Sequence, residues 1–292
     1  MVDLEKLLVK PGTKVDLKQH DTKYTGKYVE DEAKDRLKKN RKKLANLQET
    51  FYAADTYSLL IVLQAMDAAG KDGAIRHVMS GVNPQGCAVH SFKKPSSNEL
   101  EHDFFWRHYK ALPERGQIGI FNRSHYENVL ITKVHPEYLM GERIPAIRSV
   151  KDITPEFWQN RYEQINNFER NINQNGTIIL KFFLNVSKEE QKQRFLDRIN
   201  EPDKNWKFSS GDIEERKYWD DYQEAFEMAL SKTSQKHAPW YIVPADNKWF
   251  TRIAISDIII HTLKELNLKI PDLAPKEQEM LGKAKQILTA GD

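Results

Sequence analysis

Cysteine and long apolar runs are what this sequence most lacks. Its 292 residues include one cysteine, Cys87, so an internal disulfide is excluded and a reducing, cytoplasmic setting is expected. No apolar run approaches the roughly 18 residues that a membrane-spanning helix needs. The N-terminal segment MVDLEKLLVKPGTKVD is charged from its third residue and lacks the apolar core of a signal peptide. We therefore expect a soluble, globular protein that is not secreted.

Several catalytic and metal-binding patterns are missing as well. The nine histidines show no metal-ligand spacing, no G-x-S-x-G motif is present, and one cysteine cannot form a zinc-binding set. The chain has no internal repeats or low-complexity tracts. The net charge of +3 is mild, and we expect neither a nucleic-acid nor a membrane partner.

The most informative stretch is LLIVLQAMDAAGKDGAIRHV, residues 59–78. An apolar run at 59–63 has the length of a strand buried on both faces, and a helix-compatible segment starts at Gly73. The connection consists largely of small residues followed by a lysine, namely Ala65, Ala68, Ala69, Gly70 and Lys71. A strand that turns through such a loop into a helix directs backbone N–H groups at one point. The pattern predicts a phosphate-binding loop over residues 68–73.

This loop departs from the P-loop pattern G-x-x-x-x-G-K-[ST] at two positions. Ala65 stands where the first glycine belongs, and Asp72 replaces the hydroxyl residue that usually ligates magnesium. Asp67 and Asp72 bracket the lysine instead. Because acids in an anion-binding loop repel phosphate, their presence suggests that a divalent metal accompanies the phosphate. The alternative is a helix N-terminus on which the helix dipole favours acidic residues.

The rest of the chain alternates between strand and helix patterns. Residues 1 to about 26 are expected to be extended. Further strands are expected at 87–92, 116–121, 177–184 and 240–243. Helices are expected at about 27–52, 98–112, 155–175 and 188–200, in a segment that ends near 230, and at 253–268. Ser97, Thr154 and Ser187 are expected to cap three of these helices, with a capping box at 187–190. This alternation predicts an α/β fold with a doubly wound parallel sheet of the P-loop kinase kind and helices on both faces. We expect an N-terminal arm and basic helix at 1–50, a core at 51–268 and a C-terminal tail at 269–292.

A basic segment precedes the first strand. Its cationic residues are Lys34, Arg36, Lys38, Lys39, Arg41, Lys42 and Lys43. Such a run could steer a polyanion. It could equally be the solvated face of a helix whose apolar side consists of Leu37, Leu44, Leu47 and Phe51.

Polar residues follow the end of the strand predicted at 116–121, which is the third strand in chain order. They are Asn122, Arg123, His125 and Glu127. P-loop enzymes normally have a magnesium-organising aspartate here; because Asn122 has no charge, the acidic role shifts to the two loop acids or Glu127. Arg123 is expected to bind phosphate. Transfer between phosphates needs no general base, so His125 is expected to be structural or to orient the substrate.

The segment after the fourth strand has the features of a helical lid. Arg194 and Arg198 lie four residues apart on a predicted helix, and a polar segment follows at 201–211. Nucleoside-phosphate kinases with a P-loop have a mobile lid at this position, which closes over phosphates and excludes water. We predict a lid at about 194–217 with both arginines as phosphate clamps. The alternative is ordinary pairing with Glu190 and Asp197.

Three motifs together resemble those of the polyphosphate kinase 2 family. DAAGKDG at 67–73, FNRSHYE at 121–127 and WKF at 206–208 with Asp212 are similar to its modified Walker A, Walker B and lid segments. The resemblance covers about residues 44–268. Asn122 and Glu127 stand where other members have Asp and Asn, which is similar to the class III subgroup that phosphorylates both AMP and ADP.

The resemblance implies a reversible transfer of the terminal phosphoryl group of inorganic polyphosphate to AMP or ADP, assisted by Mg²⁺ or Mn²⁺. It also implies a homo-oligomer, a dimer or tetramer, and leaves guanine nucleotides open as acceptors. By motif, Asp67 would organise the metal or the acceptor phosphate, and Lys71 would neutralise phosphate charge. Asn122 and Arg123 would order metal-bound water and the acceptor phosphates, and Glu127 would set which nucleotide length is accepted.

Six further basic residues complete the implied site. Arg194, Arg198 and Lys207 would contact phosphate from the lid, and Lys93, Lys94 and Arg107 would hold the acceptor nucleotide. Two other functions stay open. An ATP-dependent kinase of the thymidylate-kinase kind lacks support because the hydroxyl after Lys71 and the strand-three aspartate are missing. A non-catalytic polyanion- or nucleotide-binding module would use the basic segment.

Overall fold

The computed structural model describes residues 1–290, except for the side chains of Lys204 and Lys207. Six strands form one sheet: β1 (Leu8–Val9), β2 (Ser58–Ala65), β3 (Cys87–Ser91), β4 (Ile118–Asn122), β5 (Thr177–Asn185) and β6 (Trp240–Pro244). The α-helices are α1 (Leu4–Leu7), α2 (Glu30–Ala54), α3 (Lys71–Val78), α4 (Ser97–Leu100), α5 (Trp106–Tyr109), α6 (Ile131–Val134), α7 (Pro155–Gln174), α8 (Lys188–Asn200), α9 (Ser210–Glu215), α10 (Trp219–Thr233), α11 (Lys248–Glu265) and α12 (Pro275–Thr289). Short 3-10 helices lie at Leu17–Gln19, Pro84–Gly86, His125–Val129, Pro136–Glu142, Val150–Asp152, Pro202–Lys207 and Arg216–Tyr218.

The sheet has the order β1-β6-β5-β2-β4-β3. Its last five strands are parallel, which confirms the predicted doubly wound arrangement, and β1 pairs antiparallel with β6. The chain first builds to one side of β2 and then to the other. The carboxyl end of β2 is therefore a topological switch point, where open α/β sheets bind ligands.

The core lies on both faces of the central strands. All eight residues of β2 are buried, as its apolar run predicts. On one face α11 packs against β5 and β6 and also contacts α2 and α3. The apolar side of α2 is buried at Leu37, Leu44 and Phe51, while its lysines at 34, 38, 39, 42 and 43 are exposed. The amphipathic-helix interpretation of the basic segment is thus correct for the lysines.

Arg36 departs from that interpretation. Its guanidinium donates to the buried carboxylate of Asp257 on α11 at 3.0 Å. Asn40 also donates to Asp257, at 2.8 Å. One basic residue of the segment, itself only partly exposed, therefore anchors α2 to α11.

The N-terminal arm contains a strand that the sequence did not predict. Leu8 and Val9 pair with Tyr241 and Trp240 and so extend the sheet beyond β6. Two residues are too few to show a period of two, which is why the segment was expected to be merely extended. Of the predicted tail at 269–292, α12 is described, whereas residues 291–292 lie outside the described residues.

The prediction of a single helix at 98–112 was wrong, because this segment forms two short helices, α4 and α5. Ser96, rather than Ser97, caps α4 and forms a capping box with Glu99. The Asp103 carboxylate then accepts a hydrogen bond from the backbone N–H of Phe105 at 2.8 Å. Such a local side-chain contact competes with the helical hydrogen bond and begins a new turn.

The starts of α7 and α8 follow the predicted caps. The Thr154 hydroxyl accepts from the Phe157 N–H, and the Ser187 hydroxyl accepts from the Glu190 N–H. The Glu190 carboxylate bonds Arg194 instead of the Ser187 backbone, so the reciprocal half of that predicted capping box is not formed. Within residues 1–290, no helix combines the length and apolar character needed to cross a membrane.

Candidate active site

The loop between β2 and α3, residues 66–70, lies at the switch point of the sheet. Ala68 and Gly70 both have left-handed backbone conformations, with φ of 60° and 106°. Gly70 adopts this conformation without the Cβ penalty, whereas Ala68 does so against it. Backbone strain of this kind concentrates at functional sites. The loop therefore makes the sharp strand-to-helix turn expected of a phosphate loop.

Lys71 is the first residue of α3, and its side chain is buried. Its ammonium donates to the carbonyl oxygens of Ala65 at 2.9 Å and Met66 at 3.4 Å. Burial lowers the pKa of Lys71, and the nearby Asp67 carboxylate opposes this shift. The cation is thus held under the loop within the protein interior, where its charge acts more strongly than in water.

The two predicted motifs meet through two side-chain pairs. Arg123 donates from Nη2 to Asp67 Oδ1 at 2.7 Å, and Asn122 donates from Nδ2 to Asp72 Oδ1 at 2.7 Å. The register of the sheet brings this about, because Asn122 lies opposite Leu63 at the end of β2. Asn122 and Arg123 therefore each contact one of the two acids that bracket Lys71.

Arg123 is held in an uncommon backbone conformation, with φ of 62°. Its N–H donates to the carbonyl oxygen of Leu63 at 3.1 Å, which ties this turn to β2. Burial alone would lower the pKa of Arg123, but the charges of Glu127 and Asp67 outweigh it and the net shift is upward. The guanidinium is therefore a permanent cation at the edge of the sheet.

Glu127 is partly buried beside this cation. Burial raises its pKa, although Arg123 and Lys71 oppose the shift, and it also interacts with Gln64 on β2. Glu127 lies in the 3-10 helix that begins at His125. Its carboxyl thus protonates more readily than that of an exposed glutamate.

His125 points away from these groups. It is fully buried, and its Nε2 lies 3.3 Å from Glu169 Oε1 in α7. Lys181 on β5 completes this buried network, with its ammonium 2.6 Å from Glu169 Oε2. The structural role that the sequence suggested for His125 agrees with this placement.

Arg194 occupies a different position from the one predicted. Its guanidinium makes five hydrogen bonds: to Glu190 Oε1 and to the carbonyl oxygens of Ala68, Ala69, Ala245 and Asp246. The side chain is only 5 % exposed. All its donors are therefore used within the protein, where they join the β2–α3 loop to residues 245–246 and to Glu190, and in this arrangement none is left for a phosphate. The predicted phosphate clamp does not describe this geometry, whereas the alternative pairing with Glu190 does.

The rest of the predicted lid folds as short helices beside the loop. Arg198 forms an ion pair with Asp212 at 3.3 Å, not with Asp197. Burial, and then the charge of Asp67, raises the pKa of Asp212. The side chain of Lys207, a predicted phosphate contact, lies outside the described residues.

Three adjoining cavities surround these groups. A chamber of about 710 Å³ is lined by the loop at 67–73 together with Lys93, Asn122, Arg123, Arg198 and Trp206. A pocket of about 460 Å³ contains all three predicted acceptor-binding residues, Lys93, Lys94 and Arg107, and the apolar side chains Phe92, Leu100, Ile131 and Tyr138. A third cavity, of about 470 Å³, runs between Glu127 and the lid. We refer to the first two as the loop chamber and the apolar pocket.

Arg123 lines all three cavities. Asp67 borders the loop chamber and the third cavity, while Glu127 borders the third cavity and the apolar pocket. In the apolar pocket Arg107 donates to the carbonyl oxygen of Lys93 at 2.8 Å. The sequence-predicted residues are thus divided between two chambers that share Phe92, Lys93 and Arg123.

Several residues at the site were not assigned a role from the sequence. Gln191 donates to the carbonyl oxygen of Asp67 at 3.0 Å, and Asp212 lines the loop chamber and the third cavity. Thr132, a buried residue of the apolar pocket, has a hydroxyl without a partner among the described residues. Asp212 lies four residues after Phe208 of the WKF motif and had a sequence signal. Gln191 of α8 and Thr132 of α6 had none.

Cys87 is part of β3 and lies away from these cavities. Its thiol is half-buried, and burial raises its pKa to about 11. The thiol is protonated at neutral pH, so it is a packing residue and not a nucleophile.

Comparison with known proteins extends the sequence resemblance. The family model for polyphosphate kinase 2 matches residues 27–271. An ADP-polyphosphate phosphotransferase from Rhodopseudomonas palustris is 50% identical over 279 residues, covering 95% of this chain and 96% of that protein. An AMP/ADP-polyphosphate phosphotransferase from Meiothermus ruber is 42% identical over 271 residues, covering 92% and 96%.

A solved structure agrees with the fold. The crystal structure of polyphosphate kinase 2 from Arthrobacter aurescens TC1 superposes with a TM-score of 0.84 at 38% identity, covering 94% of this chain and 95% of that one. The predicted fold class and the prediction of a polyphosphate-dependent kinase are confirmed. On its three motifs, its fold and these matches, the chain belongs to the polyphosphate kinase 2 family.

Proposed function

We propose that the protein transfers the terminal phosphoryl group of inorganic polyphosphate reversibly to AMP and to ADP, giving ADP and ATP. The observation that carries this proposal is that Arg123 borders both the loop chamber and the apolar pocket while it is bonded to Asp67. The names of the relatives from R. palustris and M. ruber support ADP and AMP as acceptors.

The loop chamber suits the donor. The N-terminus of α3, the buried Lys71 and Arg198 all face it or lie directly beneath it. Helix N-termini and basic side chains bind phosphate without regard to a base. Polyphosphate is a repeating anion with no base, so a chamber of this composition is sufficient to hold it.

The apolar pocket suits the acceptor. Phe92 and Tyr138 offer aromatic surface for a nucleobase, and Lys93, Lys94 and Arg107 offer cations for its phosphates. The Thr132 hydroxyl and Asn128 add polar groups to the pocket wall. A nucleotide bound here has its phosphates at Arg123, where the two chambers meet.

The reaction requires positioning more than acid–base chemistry. An oxygen of the acceptor phosphate, already ionised at neutral pH, attacks the terminal phosphorus while the bond to the bridging oxygen breaks. Lys71 and Arg123 neutralise the charge on the transferring group from two sides. Arg194 fixes the loop, and the lid residues around Asp212 restrict the access of water.

We propose Mg²⁺ or Mn²⁺ as the cation of this divalent-metal-dependent family. Residues 1–290 contain no group of three His, Cys, Asp or Glu side chains arranged to hold a metal. Mg²⁺ is commonly held by one or two carboxylates together with substrate phosphates and water, so this donor set fits. Asp67 and Asp72 would hold it beside the phosphates, each with one carboxylate oxygen already engaged by Arg123 or Asn122. When bound, the metal supplies charge stabilisation and orients the phosphates.

Finer features of this function stay predictions. Asn122 and Glu127 favour the class III subgroup, with Glu127 setting nucleotide length from its place between the apolar pocket and the third cavity. The homo-oligomer and guanine acceptors rest on the family resemblance alone. A cytoplasmic location is supported by the unpaired thiol of Cys87.

A donor-exchange assay tests the proposal. The protein is incubated with a divalent cation and AMP or ADP, with long-chain polyphosphate as the donor in one series and ATP or GTP in the other. We expect phosphorylated product with polyphosphate from both acceptors. Product formed only with a nucleoside triphosphate donor would favour the thymidylate-kinase-like alternative, and binding of polyphosphate without product would favour the binding module.

A further inference from the structure

Three arginines from three different helices converge outside the catalytic cavities. They are Arg41 of α2, Arg76 of α3 and Arg252 of α11, and we refer to them as the arginine cluster. Both α2 and α3 pack against α11. The charges of Arg76 and Arg41 add to burial in lowering the pKa of Arg252, and burial together with all three arginines lowers the pKa of His77. Because α2 and α3 both pack on α11, and Ile75 of α3 and Ile255 of α11 line one small apolar cavity, the three arginines lie near one another.

The arginine cluster has no counter-charge in the described part of the chain. None of the three arginines forms an ion pair or donates a side-chain hydrogen bond there, and the buried Nε of Arg41 has no partner. Asp72 lies one helical turn before Arg76, but its carboxylate accepts a hydrogen bond from Asn122 and does not pair with the cluster. Gathering three cations without an acid opposes folding by charge repulsion. A binding partner of opposite charge would offset this cost.

The cluster is continuous with the loop chamber. Arg76 is one turn beyond Asp72 on the same exposed side of α3, and Asp72 lines the chamber. His77 donates a hydrogen bond from Nδ1 to the carbonyl oxygen of Gly73, another chamber residue, over 2.8 Å. The start of α11 lies beside the loop as well, because Arg194 joins residues 245–246 to residues 68–69. An anionic chain that leaves the chamber along α3 reaches these arginines next.

We propose that the arginine cluster is a second polyphosphate-binding site, which holds the part of a long donor chain that extends beyond the loop chamber. This inference rests on polyphosphate being the donor, as proposed above. Five exposed lysines of α2, at 34, 38, 39, 42 and 43, extend the basic surface. The site makes the protein prefer long chains to short ones, because only a long chain contacts the chamber and the cluster at the same time.

Polyphosphate binding by the full chain tests this directly. The triple variant Arg41→Gln/Arg76→Gln/Arg252→Gln and the wild type are titrated calorimetrically with long-chain polyphosphate and with tripolyphosphate. We expect the variant to bind the long chain about ten-fold more weakly, which is about 1.4 kcal/mol and in the range of three partly exposed charge contacts. Tripolyphosphate binding should be unchanged within about two-fold. The dependence of long-chain affinity on salt should also become less steep.

Two further variants serve as controls. Lys236→Gln/Lys276→Gln/Lys285→Gln removes the same charge from exposed positions elsewhere and should bind both donors as the wild type does. Arg41→Lys/Arg76→Lys/Arg252→Lys keeps the charge and should recover most of the long-chain affinity. Thermal unfolding identifies any variant that does not fold, in which case the three single Arg→Gln variants replace it.

Several outcomes would overturn the second site. If the triple Arg→Gln variant lost affinity equally for long-chain polyphosphate and for tripolyphosphate, the arginines would belong to the loop chamber. If it lost no more long-chain affinity than the lysine control does, the effect would be one of net charge. A change in oligomeric state with unchanged polyphosphate affinity would assign the cluster to a protein interface. If the wild type transfers phosphate but shows no preference for long chains, the second site is excluded while the proposed function stands.

Discussion

Arg123 donates a hydrogen bond to Asp67 over 2.7 Å, and this contact joins the end of β4 to the turn that follows β2. One partner is a cation that borders every cavity of the site, and the other is an acid where a phosphate loop would normally have none. The acid holds the arginine in place, and in the proposed function its second oxygen would be free to bind a divalent metal. In that function the pair would prepare the site for a reaction between two polyanions.

Asp67→Asn keeps the size of the side chain and removes its charge. We expect kcat to fall at least about 100-fold, because both the metal ligand and the charge that orients Arg123 are lost. The free energy of unfolding should change by less than about 1 kcal/mol, since Asp67 is partly exposed. Steady-state kinetics with polyphosphate and ADP, together with thermal unfolding, give both quantities.

The matched control is Asp220→Asn, which removes an exposed acid in the first turn of α10. This variant should leave kcat and the free energy of unfolding unchanged. Activity of Asp67→Asn within about three-fold of the wild type would remove Asp67 from the mechanism.

Glu127→Gln tests the partly buried carboxyl of Glu127 through the pH dependence of stability. Because burial raises the folded-state pKa of Glu127 above its unfolded value, folding takes up a proton between the two pKa values. The free energy of unfolding therefore falls as pH rises through this window. Glu127→Gln cannot ionise, so we expect it to be more stable than the wild type at neutral pH.

The advantage of Glu127→Gln should disappear below the unfolded-state pKa, at acidic pH where both side chains are neutral. Denaturant unfolding at several pH values measures this difference. Glu49→Gln, at an exposed position of α2, is the control and should show no such trend. A Glu127→Gln variant that is less stable at neutral pH than in acid, relative to the wild type, contradicts the sign of the shift.

Arg194→Lys separates a phosphate clamp from a loop anchor. Lysine keeps the charge but cannot reproduce five hydrogen bonds to the loop, to residues 245–246 and to Glu190. We expect a loss of stability of about 2 kcal/mol and a fall in kcat of about 10-fold or more, because the loop is no longer fixed. Retained stability with a higher KM for polyphosphate alone would instead support the clamp.

Lys181 and Glu169 form a buried ion pair that contacts His125 and Tyr126, which follow Arg123 closely in the chain. Both side chains are fully buried and 2.6 Å apart, and burial lowers the pKa of Lys181 to about 8. Lys181→Met should reduce the free energy of unfolding by about 3–5 kcal/mol, since it leaves a buried carboxylate without its partner. Adding Glu169→Gln should restore part of this loss, which denaturant unfolding of the single and double variants will show.

The exposed pair Lys283 and Glu279 provides the comparison. Lys283→Met should cost less than about 1 kcal/mol. If Lys181→Met were no more costly than Lys283→Met, the buried pair would not support the site.

The sequence predicted those parts of the fold that rest on local patterns. The apolar run of β2, the small residues of its loop and the Thr154 and Ser187 caps each report on a neighbourhood of a few residues. These local patterns also predicted that Asn122 and Arg123 lie close to the β2–α3 loop, because parallel strands end at one edge of the sheet. The position of the site followed from this local information.

Long-range contacts were beyond such patterns. Arg194 was expected at a phosphate, but its partners at 245–246 lie 51 and 52 residues away in the chain, and nothing in the spacing identifies them. The pairing of Arg36 with Asp257 spans 221 positions. The two-residue β1 strand is too short to show alternation. In each case the deciding partner is set by tertiary packing.

Phosphorus NMR of the complete reaction is the most direct measurement of the central claim. With long-chain polyphosphate, a divalent cation and ADP or AMP, we predict that polyphosphate signals decline as the phosphate signals of the phosphorylated nucleotide appear, and that Asp67→Asn abolishes both changes. Folded wild-type protein that leaves polyphosphate and nucleotide unchanged with either acceptor would contradict the account.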